Sequence, residues 1–253
     1  MSSHLGRTVT VDYYVPQHFG NELRIPLLLI NDGQLLEEIH FDQITERYHH
    51  ENPDRPLLVA AIHAGEERIM EYGTAGIPNY KNQGAKADAY TRFVLTEMLL
   101  HTLDKFPTVD AQQVSFAGFS LGGVSALDIA WNHAHLFRRV GVFSGSFWWR
   151  SKSLGDGYSD DTDRIVHQVV RRGHHQPNLK FYFQCGTLDE TADRNNNGII
   201  DSIDDTRDLI GELHRKGYRL PEDIAYVEVE GGKHDGATWA ACLPEFLRWG
   251  WAS

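Results

Sequence analysis

Val114-Ser115-Phe116-Ala117-Gly118-Phe119-Ser120-Leu121-Gly122-Gly123 is the stretch on which the reading of this chain turns. An apolar, strand-like run, Val114–Phe119, meets a helix-favouring run through Leu121–His133 that carries Ala126, Leu127, Ile129 and Ala130. At the junction Gly118-Phe119-Ser120-Leu121-Gly122 has the spacing G-x-S-x-G, which fits an abrupt strand-to-helix turn with a serine at its apex. Such a turn forces the serine backbone into a strained conformation, and a Cβ at either glycine would meet the neighbouring strand or helix. Ser120 would then stand at a helix N-terminus, where backbone N–H groups can stabilise a developing oxyanion. The spacing alone is weak, and the bland alternative is a glycine-rich turn with an incidental serine; the flanking strand and helix favour a nucleophile.

Working outward, strand-like and helix-like segments alternate along the whole chain. TVTVDYYV (8–15) alternates like a half-buried strand. Ile25–Ile30, Pro56–Ala64, Val114–Phe119, Arg139–Ser144, Leu179–Cys185 and Ile224–Glu230 read as further strands, several continuously apolar as if covered on both faces. Helices are expected over Ala87–Phe106, Leu121–His133, Asp163–Arg172, Thr206–Lys216 and Thr238–Trp251. This alternation, without repeats or a linker, predicts one α/β domain over residues 1–253 built on a mostly parallel sheet with helices on both faces. Functional residues should gather in loops at the carboxyl ends of the strands.

A serine hydroxyl needs a histidine to accept its proton and a carboxylate to orient that histidine. In the α/β-hydrolase arrangement the chain order is Ser, then Asp or Glu, then His. Of the 14 histidines, the pairs His49-His50 and His174-His175 lie in polar, loop-like stretches and read as solvated surface. His234 follows the last strand, in Gly231-Gly232-Lys233-His234-Asp235-Gly236, and precedes the final helix. The acid is expected after the preceding strand, in Gly186-Thr187-Leu188-Asp189-Glu190, with Asp189 first, Glu190 second and Asp193 third. The reading is a serine hydrolase of carboxylic esters working through an acyl-enzyme, with Ser120, Asp189 and His234 as its triad.

With those residues in place the chain resembles the Putative esterase family of α/β-hydrolases, particularly its enterochelin-esterase-like branch. The likeness is carried by LLLINDGQ (27–34), ERIMEY (67–72), GFSLGG (118–123), SGSFWW (144–149), CGTLDE (185–190) and GGKHDGATW (231–239). It implies a second oxyanion donor just after Asp32-Gly33, so the backbone N–H of Gln34 is the candidate partner of Leu121 N–H; a plain β-turn would suit the same residues. It also implies that Phe147, Trp148 and Trp149 shape the substrate pocket, with core packing as the even alternative. Arg68 and Glu71 match an R-x-x-E-Y block, read as a buried or half-buried ion pair holding a loop.

The segment after Asp189 departs from that family pattern. Asp193, Asn195 and Asn197 occupy positions one, three and five of an EF-hand-like calcium loop, with Gly198 at the sharp turn. The Ile199 carbonyl, Asp201 and Asp204 follow at seven, nine and twelve. The short Asp204, two neutral amides and the lack of a preceding helix weaken the motif, and the alternative is an Asx-rich turn capping the next helix. The expectation is a structural calcium at 193–204 that pins the Asp189 loop, and no cofactor for catalysis.

Composition bounds the partners. Twenty-four Lys and Arg against 35 Asp and Glu give −11, which disfavours nucleic acid and a polybasic membrane contact. Between Asp189 and Asp208 seven acids face two bases, a local −5, so nearly half the imbalance sits beside the expected triad acid. Two cysteines without CxxC spacing suggest buried thiols in a reducing compartment. The N-terminal residues lack the charge and apolar run of a leader, and no apolar run approaches a membrane span, so a cytoplasmic enzyme acting on a small-molecule or sugar ester is expected, with a secreted form whose leader has been trimmed as the alternative. Two readings compete: an acyltransferase using the same triad, and a calcium-dependent binding module on an inactive hydrolase fold.

Overall fold

Leu27-Leu28-Leu29-Ile30 shows how the strands build the molecule. Successive strand side chains point to opposite faces, so Leu27 and Leu29 enter one apolar cluster while Leu28 and Ile30 enter another, and all four are fully buried. Each such side chain contributes about 1.5–3 kcal/mol by leaving water, so a continuously apolar run is stable only where helices cover both faces.

A computed structural model describes residues 1–16 and 24–252. The strands are β1 (Val11–Tyr14), β2 (Ile25–Asn31), β3 (Leu58–Ile62), β4 (Val109–Phe119), β5 (Phe137–Phe143), β6 (Lys180–Leu188) and β7 (Ile224–Lys233). They form one sheet in the order β1-β3-β2-β4-β5-β6-β7. Only the β1–β3 pair is antiparallel; every other neighbouring pair is parallel. The helices are α1 (Gln34–Glu38), α2 (Phe41–Glu51), α3 (Arg68–Glu71), α4 (Ala87–Phe93), α5 (Leu99–Lys105), α6 (Leu121–Asn132), α7 (Asp160–Asp163), α8 (Ile165–Arg172), α9 (Asp201–Arg215) and α10 (Gly236–Leu247). One face of the sheet is covered by side chains of α4, α5, α6, α8 and α9, the other by α1, α2 and α10. This is the α/β-hydrolase fold. No helix among the described residues is long and apolar enough to cross a membrane.

Departures from the sequence reading have local causes. The helix expected at 87–106 carries a π-helical stretch, Val94–Met98, between α4 and α5. Helix α2 is absent from the sequence reading because FDQITERYHHE is largely polar; only Phe41, Thr45 and Tyr48 are buried. His49 and His50 therefore close a helix instead of lying in a loop, and the His49 ring binds the Leu57 backbone. Helix α9 begins at Asp201, five residues before the expected Thr206, which makes Asp201 and Asp204 part of its first turn. Acidic side chains there suit the positive end of the helix dipole.

Candidate active site

The turn from β4 into α6 has the conformation that its glycines predict. Ser120 has φ 54° and ψ −122°, outside the regions that L-residues ordinarily occupy. Its N–H donates to the Phe143 carbonyl at 2.8 Å, which ties the apex to β5. A Cβ on Gly118 would lie 2.4 Å from the Gly122 carbonyl, and one on Gly122 would lie 2.5 Å from Asp32 Oδ2. Only glycine allows these approaches.

The turn after β2 braces the elbow from the side. Asn31 Nδ2 donates to the Gly122 carbonyl at 2.8 Å, and Tyr90 donates to Asn31 Oδ1. Asp32, 1% exposed and at φ 63°, receives a bidentate bond from Arg68: Nε to Oδ1 at 2.6 Å and Nη2 to Oδ2 at 2.8 Å. The Gly33 N–H binds the Ile62 carbonyl at 2.9 Å. Gln34 follows as the first residue of α1 and Leu121 as the first of α6. Backbone N–H groups at helix starts have no intrahelical acceptor, so both are free of the helical ladder. Arg68 and Glu71 do not pair with each other: Arg68 holds Asp32, and the buried Glu71 carboxylate takes Arg7, with Nε at 2.8 Å and Nη2 at 2.6 Å.

Sheet register brings the other two residues together. Leu188 on β6 pairs with Lys233 on β7, so Asp189 and His234 leave adjacent strands side by side. The strands approach closely here, for a Cβ on Gly186 would lie 2.4 Å from the Gly232 carbonyl. His234 stands at the rim with its ring edge-on to Trp239, centroids 5.3 Å apart. Asp235 beside it is the N-cap of α10, accepting from Thr238 N–H at 2.9 Å, which commits it to the helix and removes it as an orienting acid.

Ser120, Asp189 and His234 line one cavity of about 250 Å³, together with Ser146, Trp148 and Glu190 among others. Within it the Ser120 hydroxyl pairs with Ser146 Oγ at 3.0 Å, not with His234. Neither Asp189 oxygen makes a well-formed hydrogen bond among the described residues, although the Gly186 backbone and the Ser144 hydroxyl lie close to the carboxylate. The three groups are therefore gathered without being linked, as is common before substrate closes a site. Burial pushes the Asp189 carboxyl above its ordinary value, partly offset by the Gly186 backbone, the Ser144 hydroxyl and the nearby His234. Desolvation lowers the His234 pKa, with Asp189 opposing and the Arg68 cation reinforcing the shift. A histidine kept neutral beside a carboxylate is suited to accept a proton.

Of the expected aromatic wall only Trp148 lines this cavity. Phe147 and Trp149, 1% and 0% exposed, are core residues on the face of the sheet covered by α4, α5, α6, α8 and α9. Adjacent residues cannot all face one cavity. Trp149 is also packed against the glycines of the 73–84 segment, 3.1 Å from a Cβ built on Gly73. The sequence reading missed Ser144, Ser146 and Ser202 in the wall. The first two lie in the SGSFWW block, whose aromatics drew the attention; Ser202 carries no signal without α9 in place.

The acidic segment is largely neutralised by arginines. Asp205, fully buried, receives Arg164 Nη1 at 2.7 Å and both Arg194 amino groups, Nη1 to Oδ2 at 3.1 Å and Nη2 to Oδ1 at 2.5 Å. Arg164 also holds Asp208 at 2.8 Å, and Arg194 lies 3.2 Å from Asp201. Arg164 is far away in sequence, so the local −5 overstated the bare charge. In the 193–204 loop Asp193 accepts from the N–H groups of Asn197 and Gly198, while the Asn195 and Asn197 amides both donate to Asp204 Oδ2. Asp201 is turned to the Arg194 backbone N–H at 2.9 Å. Among the described residues no group of three or more His, Cys, Asp or Glu side chains is placed to hold a metal ion.

Comparison with known proteins agrees with this architecture. The family model described as Putative esterase matches residues 2–249. The enterobactin esterase of Shigella flexneri, solved with 2,3-dihydroxy-N-benzoyl-glycine present, is 19% identical with a TM-score of 0.68 and covers 97% of this chain. The chain spans 56% of that esterase's length. A ferulic acid esterase structure is 17% identical at TM-score 0.70, covering 98% of this chain and 94% of its own. In sequence, YjcH of Bacillus subtilis is 21% identical over 222 residues, 85% of this chain and 82% of YjcH.

Proposed function

The chain belongs to the Putative esterase family, and from that premise we propose that it hydrolyses carboxylic esters through an acyl-enzyme formed on Ser120. The observation that carries the reading is the shared cavity: a strained serine at a helix N-terminus facing an acid and a histidine that leave adjacent strands in register. In this mechanism the Ser120 hydroxyl turns from Ser146 toward His234, loses its proton to the imidazole and attacks the acyl carbon. Asp189 fixes the histidine tautomer and stabilises the imidazolium. The N–H groups of Leu121 and Gln34 hold the oxyanion, which adds about 3–4 kcal/mol per donor in comparable sites. His234 then protonates the departing alcohol, and a water activated by the same imidazole releases the acid. Trp148 borders the substrate.

A fluorophosphonate probe and a panel of chromogenic esters of increasing acyl size test this directly. Wild type should label and turn over, whereas Ser120→Ala should do neither. Unlabelled wild type would leave a binding module on a retired fold. Products measured with an added alcohol acceptor separate hydrolysis from acyl transfer.

We also propose a structural calcium in the 193–204 loop, held by Asp193, Asn195, Asn197, the Ile199 carbonyl and Asp204. The loop already gathers these residues, but with the Asn195 and Asn197 amide N–H groups on Asp204 and their oxygens on the Asn197 and Ile199 N–H groups, so calcium would have to turn both amides over. Asp201, the expected ninth-position ligand, is engaged by Arg194, which suits a position that often reaches calcium only through water.

A further inference from the structure

One wall of the cavity has buried oxygens that no hydrogen bond among the described residues reaches. Glu190 Oε1 is buried there without a hydrogen-bond partner, and so is the hydroxyl of Ser202, a residue 6% exposed. The Ser202 carbonyl takes the Thr206 hydroxyl at 2.7 Å and the Cys185 thiol at 3.6 Å, while its backbone N–H lies toward Glu190 and its side chain is left without a partner at the cavity. A buried acceptor left unmet costs about 1–3 kcal/mol, more when charged, so these atoms await a donor.

The wall's charge says which donor. Two carboxylates, Asp189 and Glu190, line the cavity and no lysine or arginine does. Arg68 is engaged on Asp32, and Arg194 and Arg164 on Asp205. Burial raises the Glu190 carboxyl, the Ser202 backbone N–H opposes the shift, and Asp201, Asp205 and Asp189 add to it, so a positive ligand would relieve repulsion as well as supply a proton donor. Arg150 already lies 6.0 Å from the Trp148 ring centre, so the carboxylate and not the indole carries the discrimination.

We propose that Glu190 and Ser202 form a subsite, opening on the same cavity as Ser120, for an ammonium-bearing part of the ester substrate. It rests on Ser120 being the nucleophile. An ammonium has three donors, enough for the Glu190 carboxylate and the Ser202 hydroxyl together, while a carboxylate-bearing ester is repelled. Glu190 is thus a specificity residue beside the triad, separate from Asp189, which answers to His234.

Two matched ester series test it, because the charge can sit on either side of the scissile bond. One is 3-(aminomethyl)phenyl, 3-ethylphenyl and 3-(carboxymethyl)phenyl acetate. The other is the p-nitrophenyl esters of 4-(aminomethyl)benzoate, 4-ethylbenzoate and terephthalate. In one series kcat/KM should favour the ammonium over its neutral isostere by about tenfold and disfavour the carboxylate, and Glu190→Gln should collapse that ratio. Flat ratios in both series overturn the subsite. A ratio that survives in Glu190→Gln does so too, and parallel loss on all three esters would make Glu190 a triad acid instead. If no ester of either series turns over, the esterase reading fails; the subsite then stands or falls on ligand-observed NMR of benzylammonium, which Glu190→Gln must weaken and Ser120→Ala must not.

Discussion

The two sides of the cavity are built by opposite means. On the serine side every group is fixed from several directions: the Ser120 N–H by Phe143, the Gly122 carbonyl by Asn31, and the neighbouring turn by the Asp32–Arg68 pair. On the other side Asp189 makes no well-formed hydrogen bond among the described residues, with only the Gly186 backbone and the Ser144 hydroxyl close by, and His234 rests edge-on against an indole. Backbone sterics hold Ser120, whereas charge and sheet register hold Asp189 and His234. The first side is rigid before substrate arrives; the second is poised to tighten.

The contrast can be broken from either end. The largest expected effect is on the loosely held side: Asp189→Asn should lower kcat about 10³–10⁴-fold with the fold intact, since the histidine loses its orienting charge. Near-wild-type turnover would transfer the acid role to Glu190. Next comes the braced side. Asp32→Ala leaves Arg68 uncompensated and should cost about 3 kcal/mol, or about 6–12 °C in Tm for a chain of this length. It should also cut kcat about tenfold with little change in KM by loosening the Gln34 N–H. A fall in Tm with kcat unchanged would leave the pair purely structural.

A smaller effect is read from pH. His234 must be neutral to act as base, and its pKa is lowered chiefly by desolvation. The acid limb of kcat/KM should therefore have its midpoint below the ordinary histidine value of about 6.5, with activity retained on the acid side of neutrality. Because the Asp189 charge raises the His234 pKa, the residual activity of Asp189→Asn should show a limb displaced to still lower pH. A midpoint above 7 would exclude His234 as the base. The smallest expected change is a rise of a few degrees in Tm with millimolar calcium, lost in Asp193→Ala. A Tm indifferent to calcium leaves the 193–204 loop an Asx turn, and the acid side held by register alone.

The sequence of Val114–Gly123 determined the strand-to-helix turn and the strained serine at its apex, because a strand, two obligatory glycines and a helix are local features that short-range sterics decide. The parallel strands were legible for a similar reason, being apolar at every position, and the loops after β6 and β7 followed from chain order. Tertiary structure alone decided which side chains face the cavity: Trp148 does, while Phe147 and Trp149 sink into the core. It alone paired Arg68 with Asp32 and Glu71 with Arg7, and brought Arg164 from 41 residues away to Asp205. Those outcomes depend on how helices pack across a sheet and on contacts distant in sequence, whose direction no local spacing encodes.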